Sequence, residues 1–248
     1  MADPGRRRTA AELAETMGSD RFVAPPEELA ARLGRCRALV LDWDGVLGNG
    51  ARGPEVAPGF NELDAMGINL LRFALWRRGG ERGIPPVVVV SGQGNAAAQA
   101  LAERDQLDAL YMGFLDKRVA LEHLCRTRDL RPEELIFVFD DVIDFGMAER
   151  CGARFLVARP SQPLVERFVR GRGLCDFLVR APGGAGAVRE ACEVALGLLG
   201  VDEEIFEARG WYAESYQRYL EARRAVPRVQ GFAMARDPAT GRDEVRPA

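Results

Sequence analysis

Two carboxylates, Asp42 and Asp44, follow an apolar run in the segment LVLDWDGVLGNG, residues 39–50. Side chains alternate between the two faces of an extended chain, so both acids are expected to point the same way. Two like charges held close together repel each other, and burial penalises both. A purely structural turn gains little from this arrangement. The spacing therefore predicts a bound cation, a proton transfer, or both.

Polar residues also end two other apolar segments, and a single lysine lies between them. The segment VVVVSG ends in Ser91 and Gly92, and ELIFVFDD ends in Asp140 and Asp141. Lys117, in DKRVALEHL, is the only lysine of a chain that otherwise uses arginine for positive charge. A compact ammonium on a flexible stem can serve where a planar guanidinium cannot. A chance survivor of codon drift explains a lone lysine equally well.

Strand-like and helix-like patterns alternate along the chain. Apolar runs of strand length occur in LVLD, PPVVVVSG, ALYMG, ELIFVFDD, ARFLVA and CDFLV, and helical apolar spacing separates them. This alternation predicts an α/β fold with a doubly wound, mainly parallel sheet, a three-layer sandwich with helices on both faces. The site of such a fold lies beyond the carboxyl ends of the strands. The acids and Ser91 stand at those ends, and Lys117 begins a helix between them.

The chain is expected to contain one catalytic domain with two appendages. Residues 1–24 are polar and rich in alanine and arginine, which predicts a flexible N-terminal segment. The catalytic domain is expected over 25–200, and residues 201–248 are expected to form a C-terminal helix, 202–225, followed by a polar tail. The glycine- and proline-rich segment 48–60 predicts a loop or a short flap.

The composition excludes several classes of protein. With 248 residues and 47% hydrophobic content the chain can form one sizeable core, and its net charge of −3 predicts no bulk attraction to nucleic acid. No apolar run is long enough to cross a membrane, and MADPGRRRTA lacks the apolar stretch of a secretory signal. Five scattered cysteines without a CxxC pair fit a reducing cytoplasm better than a disulfide framework or a zinc site. The single histidine, His123, excludes mechanisms that need two.

Taken in their order along the chain, four segments resemble the motifs of the haloacid dehalogenase superfamily. They are DWDGV, VVVVSG, Lys117 and DDVID, and the resemblance extends roughly from Arg37 to Gly200. Each segment is common by itself, but a chance coincidence of four ordered motifs is improbable. The resemblance implies a Rossmann-like fold and a magnesium-dependent phosphatase that works through an aspartyl-phosphate.

The resemblance also implies roles for the acids. Asp42 would be the nucleophile, and Asp44 would act first as general acid and then as general base. Mg²⁺ would be held by the Asp42 carboxylate, the Asp44 backbone carbonyl and Asp140. Its charge would allow the carboxylates to cluster. Asp141 and Asp144 would either contact the metal-binding residues without touching the metal or act as secondary metal ligands.

The other motif residues would contact the phosphate. The Ser91 hydroxyl and the Gly92 amide would donate to oxygens of the transferring group, and Lys117 would neutralise the charge of nucleophile and phosphate. The acid at Asp44 favours a phosphatase over a dehalogenase. A halide leaves without a proton, whereas an ester oxygen generally needs one.

Spacing and flanking segments narrow the resemblance to one branch. The intervals from Asp42 to Ser91 and from Ser91 to Lys117 are too short for an independent cap domain. The segments FNELDAMGINLL, MGFLDKRVALEHL and GGAGAVREACE look like the capless 3-deoxy-D-manno-octulosonate 8-phosphate phosphatase branch. That branch implies homotetramers, a flap after the first motif and a C-terminal tail that can approach a neighbour's site. A glycine loop before an ordinary helix is the alternative for GGAGAVRE.

Several positions depart from this branch and leave the substrate open. Gly48 and Asn49 stand where Thr-Asp is usual, Gln93 replaces an arginine, and Phe139 replaces a glycine. We therefore expect a small phosphorylated sugar or sugar acid, with Asn49 and Gln93 as candidate substrate contacts. A catalytically inactive scaffold or regulatory subunit is the alternative, favoured by Phe139 and Gln93 and opposed by the complete set of motif acids. A mutase is disfavoured because no cap would exclude water.

Overall fold

A computed structural model describes residues 9–51, 59–226, 229–236 and 243–248. Its strands, numbered along the chain, are β1 (Ala38–Asp42), β2 (Val87–Ser91), β3 (Ala109–Met112), β4 (Leu135–Phe139), β5 (Ala153–Val157), β6 (Phe177–Val179), β7 (Gln230–Arg236) and β8 (Asp243–Pro247). They form one sheet in the order β6-β5-β4-β1-β2-β3-β7-β8. All neighbouring strands are parallel except β7 and β8.

Helices cover both faces of this sheet. They are α1 (Ala10–Met17), α2 (Pro26–Leu33), α3 (Glu62–Arg78), α4 (Ala96–Asp105), α5 (Lys117–Arg128), α6 (Phe145–Ala148), α7 (Pro163–Arg172), α8 (Ala187–Leu199), α9 (Asp202–Gly210) and α10 (Glu214–Arg224). One core cluster contains residues of α1–α4 and α8–α10, and the other contains residues of α5–α7. The predicted fold class, a doubly wound three-layer sandwich, is confirmed.

The central strands are apolar along their whole length because both of their faces are covered. Leu39 and Leu41 of β1 lie in one core cluster, whereas Ala38 and Val40 lie in the other. The residues of β2 divide in the same alternating way. A strand buried on both faces has no position for a polar side chain until it ends. The chemistry is therefore confined to the strand tips.

Neither interval between the motifs contributes a second domain among the described residues. The chain passes from β1 through a turn to α3 and β2, and from β2 through α4 to β3 and α5. Most of the expected flap lies outside the described residues, since 52–58 are among those left out. None of the described helices is both long enough and apolar enough to pass through a bilayer.

Within the predicted flexible N-terminal segment the structure describes residues 9–24, while residues 1–8 lie outside the described residues. Residues 10–17 form α1, which begins in a capping box between Thr9 and Glu12. Leu13 is 2% exposed and belongs to the core beside α8. Arg21 donates to the Leu178 carbonyl at 3.0 Å, and the Phe22 ring lies 4.8 Å from that of Phe177. Apolar burial and these contacts order residues 9–24, which composition alone had suggested would be loose.

The C-terminal segment also differs from its prediction. The expected helix 202–225 is two helices, because Tyr212 adopts a left-handed conformation with φ 53° and the Ala213 amide donates back to Ala208. Beyond them β7 pairs in parallel with β3, and β8 returns antiparallel to β7. The described part of the tail thus extends the sheet at its edge.

Candidate active site

The predicted residues converge at one edge of the sheet. Asp42 ends β1 and Ser91 ends β2, and these strands pair in parallel. Asp140 directly follows β4, the other neighbour of β1. Lys117 is the first residue of α5, and Asp116 caps that helix by accepting from the Arg118 amide at 3.1 Å. Three strand tips and one helix start therefore supply a single site.

Lys117 lies between two acids, Asp42 and Asp144. Its Nζ donates to Asp42 Oδ1 at 2.5 Å and forms an ion pair with Asp144 Oδ1, also at 2.5 Å. The lysine side chain is 0% exposed. Burial favours the neutral amine, but the charges of Asp42 and Asp144 outweigh it and raise the pKa of Lys117. The ammonium is held in its charged form beside the Asp42 carboxylate.

Three carboxylates meet around this ammonium. Oxygens of Asp42, Asp140 and Asp144 all lie within 4.8 Å of one another, and the three residues are buried. Burial raises the pKa of Asp42 to about 6, with Lys117 opposing the rise. Burial and then the charge of Asp42 raise the pKa of Asp140 to about 8, with Arg159 opposing. Negative charge in this cluster exceeds what Lys117 alone neutralises.

This cluster fits a divalent cation with a preference for oxygen ligands. Carboxylate and carbonyl oxygens are the ligands of Mg²⁺, and the described residues near the cluster include no competing histidine or cysteine ligand. A divalent cation there would offset the burial of the acids and their mutual repulsion, which together raise the pKa values of Asp42 and Asp140. The donor set therefore matches the predicted cofactor, with Asp144 joining Asp42 and Asp140.

Asp144 enters the cluster through a short 3₁₀ turn, Val142–Asp144. Asp141 caps that turn, accepting from the Val142 amide at 2.7 Å, and its own amide donates to Asp144 Oδ2 at 3.3 Å. Asp141 thus orients Asp144 and contributes no carboxylate to the cluster. Sequence reasoning grouped these two acids together, and the geometry separates them.

The turn after β1 contains Asp44, two positions after Asp42 and directly before Gly45. The Gly45 amide donates to the Gly48 carbonyl at 2.8 Å, and Gly45 has φ 88°. A Cβ at Gly45 would overlap Asp140 Oδ2 and the Arg159 guanidinium. Only glycine fits this left-handed, crowded position. Asp44 is half-buried at the start of the turn.

The segment GGAG, residues 183–186, supports this turn from the other side. The Gly184 amide donates to the Val46 carbonyl at 3.0 Å, and a Cβ at Gly183 would overlap the Gly45 carbonyl. Asp64 of α3, which is 0% exposed, accepts from the amides of Gly186 at 3.2 Å and Arg189 at 2.9 Å. The glycines thus allow close backbone packing, and Asp64 fixes the start of α8.

Ser91 and its neighbours form the rim beside β2. Ser91 is 0% exposed, and its Oγ accepts from the Gln93 amide at 3.2 Å. The Gly92 backbone faces the exposed apolar side chains of Leu115 and Ile143, each 3.7 Å from where a Cβ would stand. Ser91 is therefore fixed in a tight turn at the strand tip, while Gln93 lies on the surface.

Phe139 does not narrow the site. Its side chain is 0% exposed and stacks on Phe137 with ring centroids 5.4 Å apart, inside the core beneath α5–α7. A bulky residue before Asp140 is therefore accommodated by the core. This removes one of the two sequence arguments for an inactive scaffold.

Asn49 follows the turn after β1 and lines a cavity of about 460 Å³. The other described lining residues are Gly59, Phe60, Asn61, Glu62 and Gly184. The lining is mostly polar and includes an amide, a carboxylate and backbone groups. Such a cavity suits a hydroxylated ligand better than an apolar one.

Two residues of this region were missed by sequence reasoning. Asp64 lies inside an ordinary helical pattern, and Arg159 follows β5 in VARPSQP with no motif around it. Arg159 Nη2 lies 2.5 Å from Asp140 Oδ2. Asp64 lies within FNELDAMGINLL, one of the segments that carry the branch resemblance, but that resemblance gave its carboxylate no role, and Arg159 lies in no quoted motif. Tertiary contacts alone place them here.

The raised pKa of Asp140 leads to a test of the metal-free protein. Its folded-state pKa of about 8 lies above the unfolded value, so its contribution to stability is complete below about pH 4 and is lost as the pH rises through about 8. In EDTA at pH 8, Asp140→Asn should therefore have a higher melting temperature than the wild type. Each kcal/mol of unfolding free energy gained by removing the buried charge corresponds to roughly 2–4 °C. Below about pH 4, where Asp140 is protonated in both the folded and the unfolded state, the two proteins should have the same melting temperature. A lower melting temperature for the variant at pH 8 would mean that the Arg159 ion pair outweighs burial.

Comparison with known proteins identifies the family, although no family model matches the chain. The chain is 30% identical over 178 residues to a 3-deoxy-D-manno-octulosonate 8-phosphate phosphatase, KdsC, of Salmonella typhi, covering 70% of this chain and 85% of that protein. A YrbI-family phosphatase structure from Pseudomonas syringae has a TM-score of 0.60 and 30% identity, covering 76% of this chain and 98% of that one. A hydrolase of the HAD superfamily, subfamily III A, from Legionella pneumophila has a TM-score of 0.60 and 26% identity, covering 78% and 94%. With the fold and motif geometry, these similarities show that the chain belongs to the 3-deoxy-D-manno-octulosonate 8-phosphate phosphatase family of the HAD superfamily.

Proposed function

We propose that this protein hydrolyses the phosphate monoester of a small sugar or sugar acid through an aspartyl-phosphate on Asp42. The main support is the Asp42 carboxylate itself, buried within the three-acid cluster and held by the Lys117 ammonium at 2.5 Å. A nucleophile that must approach an anionic phosphate needs neutralising charge close by. The names of the relatives support the same reaction class.

Magnesium is the proposed cofactor. The Asp42 and Asp140 carboxylates and the Asp44 backbone carbonyl would hold it, with Asp144 near enough to contribute. When bound, the ion would supply positive charge to the phosphoryl oxygens. Hard oxygen ligands in a buried cluster favour Mg²⁺ over softer metals.

The proposed reaction has two displacement steps. In the first, an Asp42 oxygen forms a bond to phosphorus, the bond from phosphorus to the ester oxygen breaks, and Asp44 gives that oxygen a proton. In the second, Asp44 takes a proton from a water molecule, whose oxygen attacks the aspartyl-phosphate. The bond from phosphorus to Asp42 breaks, inorganic phosphate leaves, and the Asp42 carboxylate returns. Ser91, the Gly92 amide and Lys117 would hold the phosphate oxygens.

The polarity of the cavity near the site supports the proposed substrate class. The cavity beside Asn49 would receive the hydroxyl groups of a sugar, and Gln93 stands at the rim as a second polar contact. Exposed apolar residues at the rim, including Leu115 at 75% and Ile143 at 48%, support the further proposal that several copies assemble around the open site. Light scattering measures that assembly, and a monomer at working concentration would contradict it.

A phosphate-release assay tests the function. The purified protein would be incubated with a panel of sugar phosphates and sugar-acid phosphates, with MgCl₂ or with EDTA. We expect release from at least one sugar phosphate that requires Mg²⁺ and stops in EDTA. Inertness across the panel together with no Mg²⁺ binding would favour the inactive scaffold. Conversion to an isomeric sugar phosphate without free phosphate would favour a mutase.

A further inference from the structure

Arg159 places a positive charge against a residue of the carboxylate cluster. Its Nη2 lies 2.5 Å from Asp140 Oδ2, and its guanidinium fills the space in front of Gly45. The guanidinium is thus located between the tip of β4 and the turn that carries the Asp44 carbonyl. Asp140 and that carbonyl are two of the oxygens proposed to hold magnesium. A cation in this space and an ion on the same carboxylate would compete.

Other buried acids of the chain pair with arginines that are fixed in place. Arg72 is 1% exposed and donates to Asp108, to the Pro85 carbonyl and to the Gln106 carbonyl. Arg154 donates to both Asp176 oxygens and to the Gly173 carbonyl. These arginines are structural parts of the fold, because their donors are satisfied from several directions.

Arg159 is held differently. Among the described residues its side chain forms an ion pair with Asp140 and with no other acid, and 32% of it is exposed. No backbone carbonyl of the described chain accepts from its guanidinium. It can therefore turn towards solvent at little cost, whereas Arg72 and Arg154 cannot.

We propose that Arg159 is a built-in counter-cation that occupies the magnesium side of Asp140 in the metal-free protein and must leave before Mg²⁺ binds. This rests on the proposed function, since it assigns the cluster to magnesium. A guanidinium stays charged at all physiological pH values. Its displacement therefore lowers the affinity for Mg²⁺ and keeps the carboxylates partly neutralised when no metal is present.

The test is the dissociation constant for Mg²⁺ measured by isothermal titration calorimetry on EDTA-stripped, dialysed protein. Arg159→Gln should bind Mg²⁺ about tenfold more tightly than wild type, since one like charge at contact distance has been removed. Arg159→Lys keeps a positive charge and should lie closer to wild type. Arg180→Gln is the matched control, because Arg180 is 43% exposed and pairs with Glu166 at 2.9 Å outside the cluster. It should bind Mg²⁺ as wild type does.

The outcomes separate this inference from the proposed function. If Arg159→Gln binds Mg²⁺ more tightly than the wild type while Arg180→Gln binds it equally well, the result supports competition between Arg159 and Mg²⁺ for Asp140. Equal or weaker binding in Arg159→Gln would overturn it, while Mg²⁺ binding by the wild type would still support the proposed function. Failure of wild type and all variants to bind Mg²⁺ would overturn both. The rise in melting temperature on adding Mg²⁺ gives a second readout, which should be larger in Arg159→Gln.

Discussion

Replacing Asp42 with asparagine should reduce magnesium-dependent phosphate release by at least about 1,000-fold. The asparagine amide has nearly the same shape as the carboxylate. It lacks the negative charge and the nucleophilic carboxylate oxygen that would attack phosphorus. It also removes one of the three carboxylates of the cluster and the partner of Lys117. The turnover number on the best substrate of the panel measures this loss at saturating MgCl₂.

Asp108→Asn is the control for effects on folding. Asp108 is also a buried aspartate paired with a cation, Arg72 at 2.7 Å. It precedes β3, however, and so lies at the amino ends of the parallel strands, away from the site at their carboxyl ends. Its folded fraction should keep wild-type turnover.

In Asp44→Asn, mass spectrometry should find a phosphoryl group on the peptide that contains Asp42, because loss of the general base slows the second step. Wild-type turnover in Asp42→Asn would end the aspartyl-phosphate mechanism.

The convergence of the motif residues could be predicted because it follows from topology. Parallel strands align their carboxyl ends at one edge, so residues that end apolar runs must lie near one another. Asp42, Ser91 and Asp140 each end or follow such a run, and the sequence pattern predicted that Lys117 begins a helix between them. The alternation of strands and helices was therefore sufficient to place Lys117 at the same end of the sheet.

The contacts across the site could not be predicted, because they depend on which elements pack together. Asp64 accepts from the Gly186 amide, 122 positions along the chain, and Arg159 reaches Asp140 only because β5 pairs with β4. Asp144 reaches the cluster only because a 3₁₀ turn directs it there. Local patterns report the conformation of a segment and its apolar face, and they carry no information on such distant pairings.

The order in the described parts of the two ends could not be predicted for a related reason. Composition suggested a flexible N-terminal segment and left the conformation of the polar tail open, whereas Leu13 is buried in the core and β7 pairs with β3. A strand at a sheet edge gains stability from the backbone of its neighbour, which the residues of the strand do not reveal.

The departures from the family pattern at Phe139 and Gln93 had different outcomes. The Phe139 ring is absorbed by the core, while Gln93 remains at the rim as a candidate substrate contact.

The electrostatics of the site give Lys117 a role that no other described residue shares, since it alone among them pairs with both Asp42 and Asp144. Three acids are gathered where burial opposes their ionisation, and Lys117 touches two of them from inside the protein. Arg159 reaches the third from the solvent side. The buried ammonium is thus the permanent neutralising charge, and the half-buried guanidinium is the one that we propose Mg²⁺ displaces.

Lys117→Arg should lower turnover by at least about 100-fold although it keeps the positive charge. The lysine side chain is 0% exposed and its Nζ contacts Asp42 and Asp144 at 2.5 Å each. A planar guanidinium is larger and spreads its charge over three nitrogens, so it cannot enter this space without displacing one of the acids. We expect a lower melting temperature as well, since the displaced acid loses its partner in the protein interior.

Arg118→Lys is the matched control for that substitution. It exchanges the same two residue types in the reverse direction at the next position, where the side chain is exposed and pairs with Asp116. Its turnover and melting temperature should equal those of the wild type. Initial rates at saturating substrate and MgCl₂, with thermal unfolding of the same samples, make the comparison. A wild-type rate in Lys117→Arg would show that any positive charge suffices beside Asp42, and that the single lysine of this arginine-rich chain is an accident of composition.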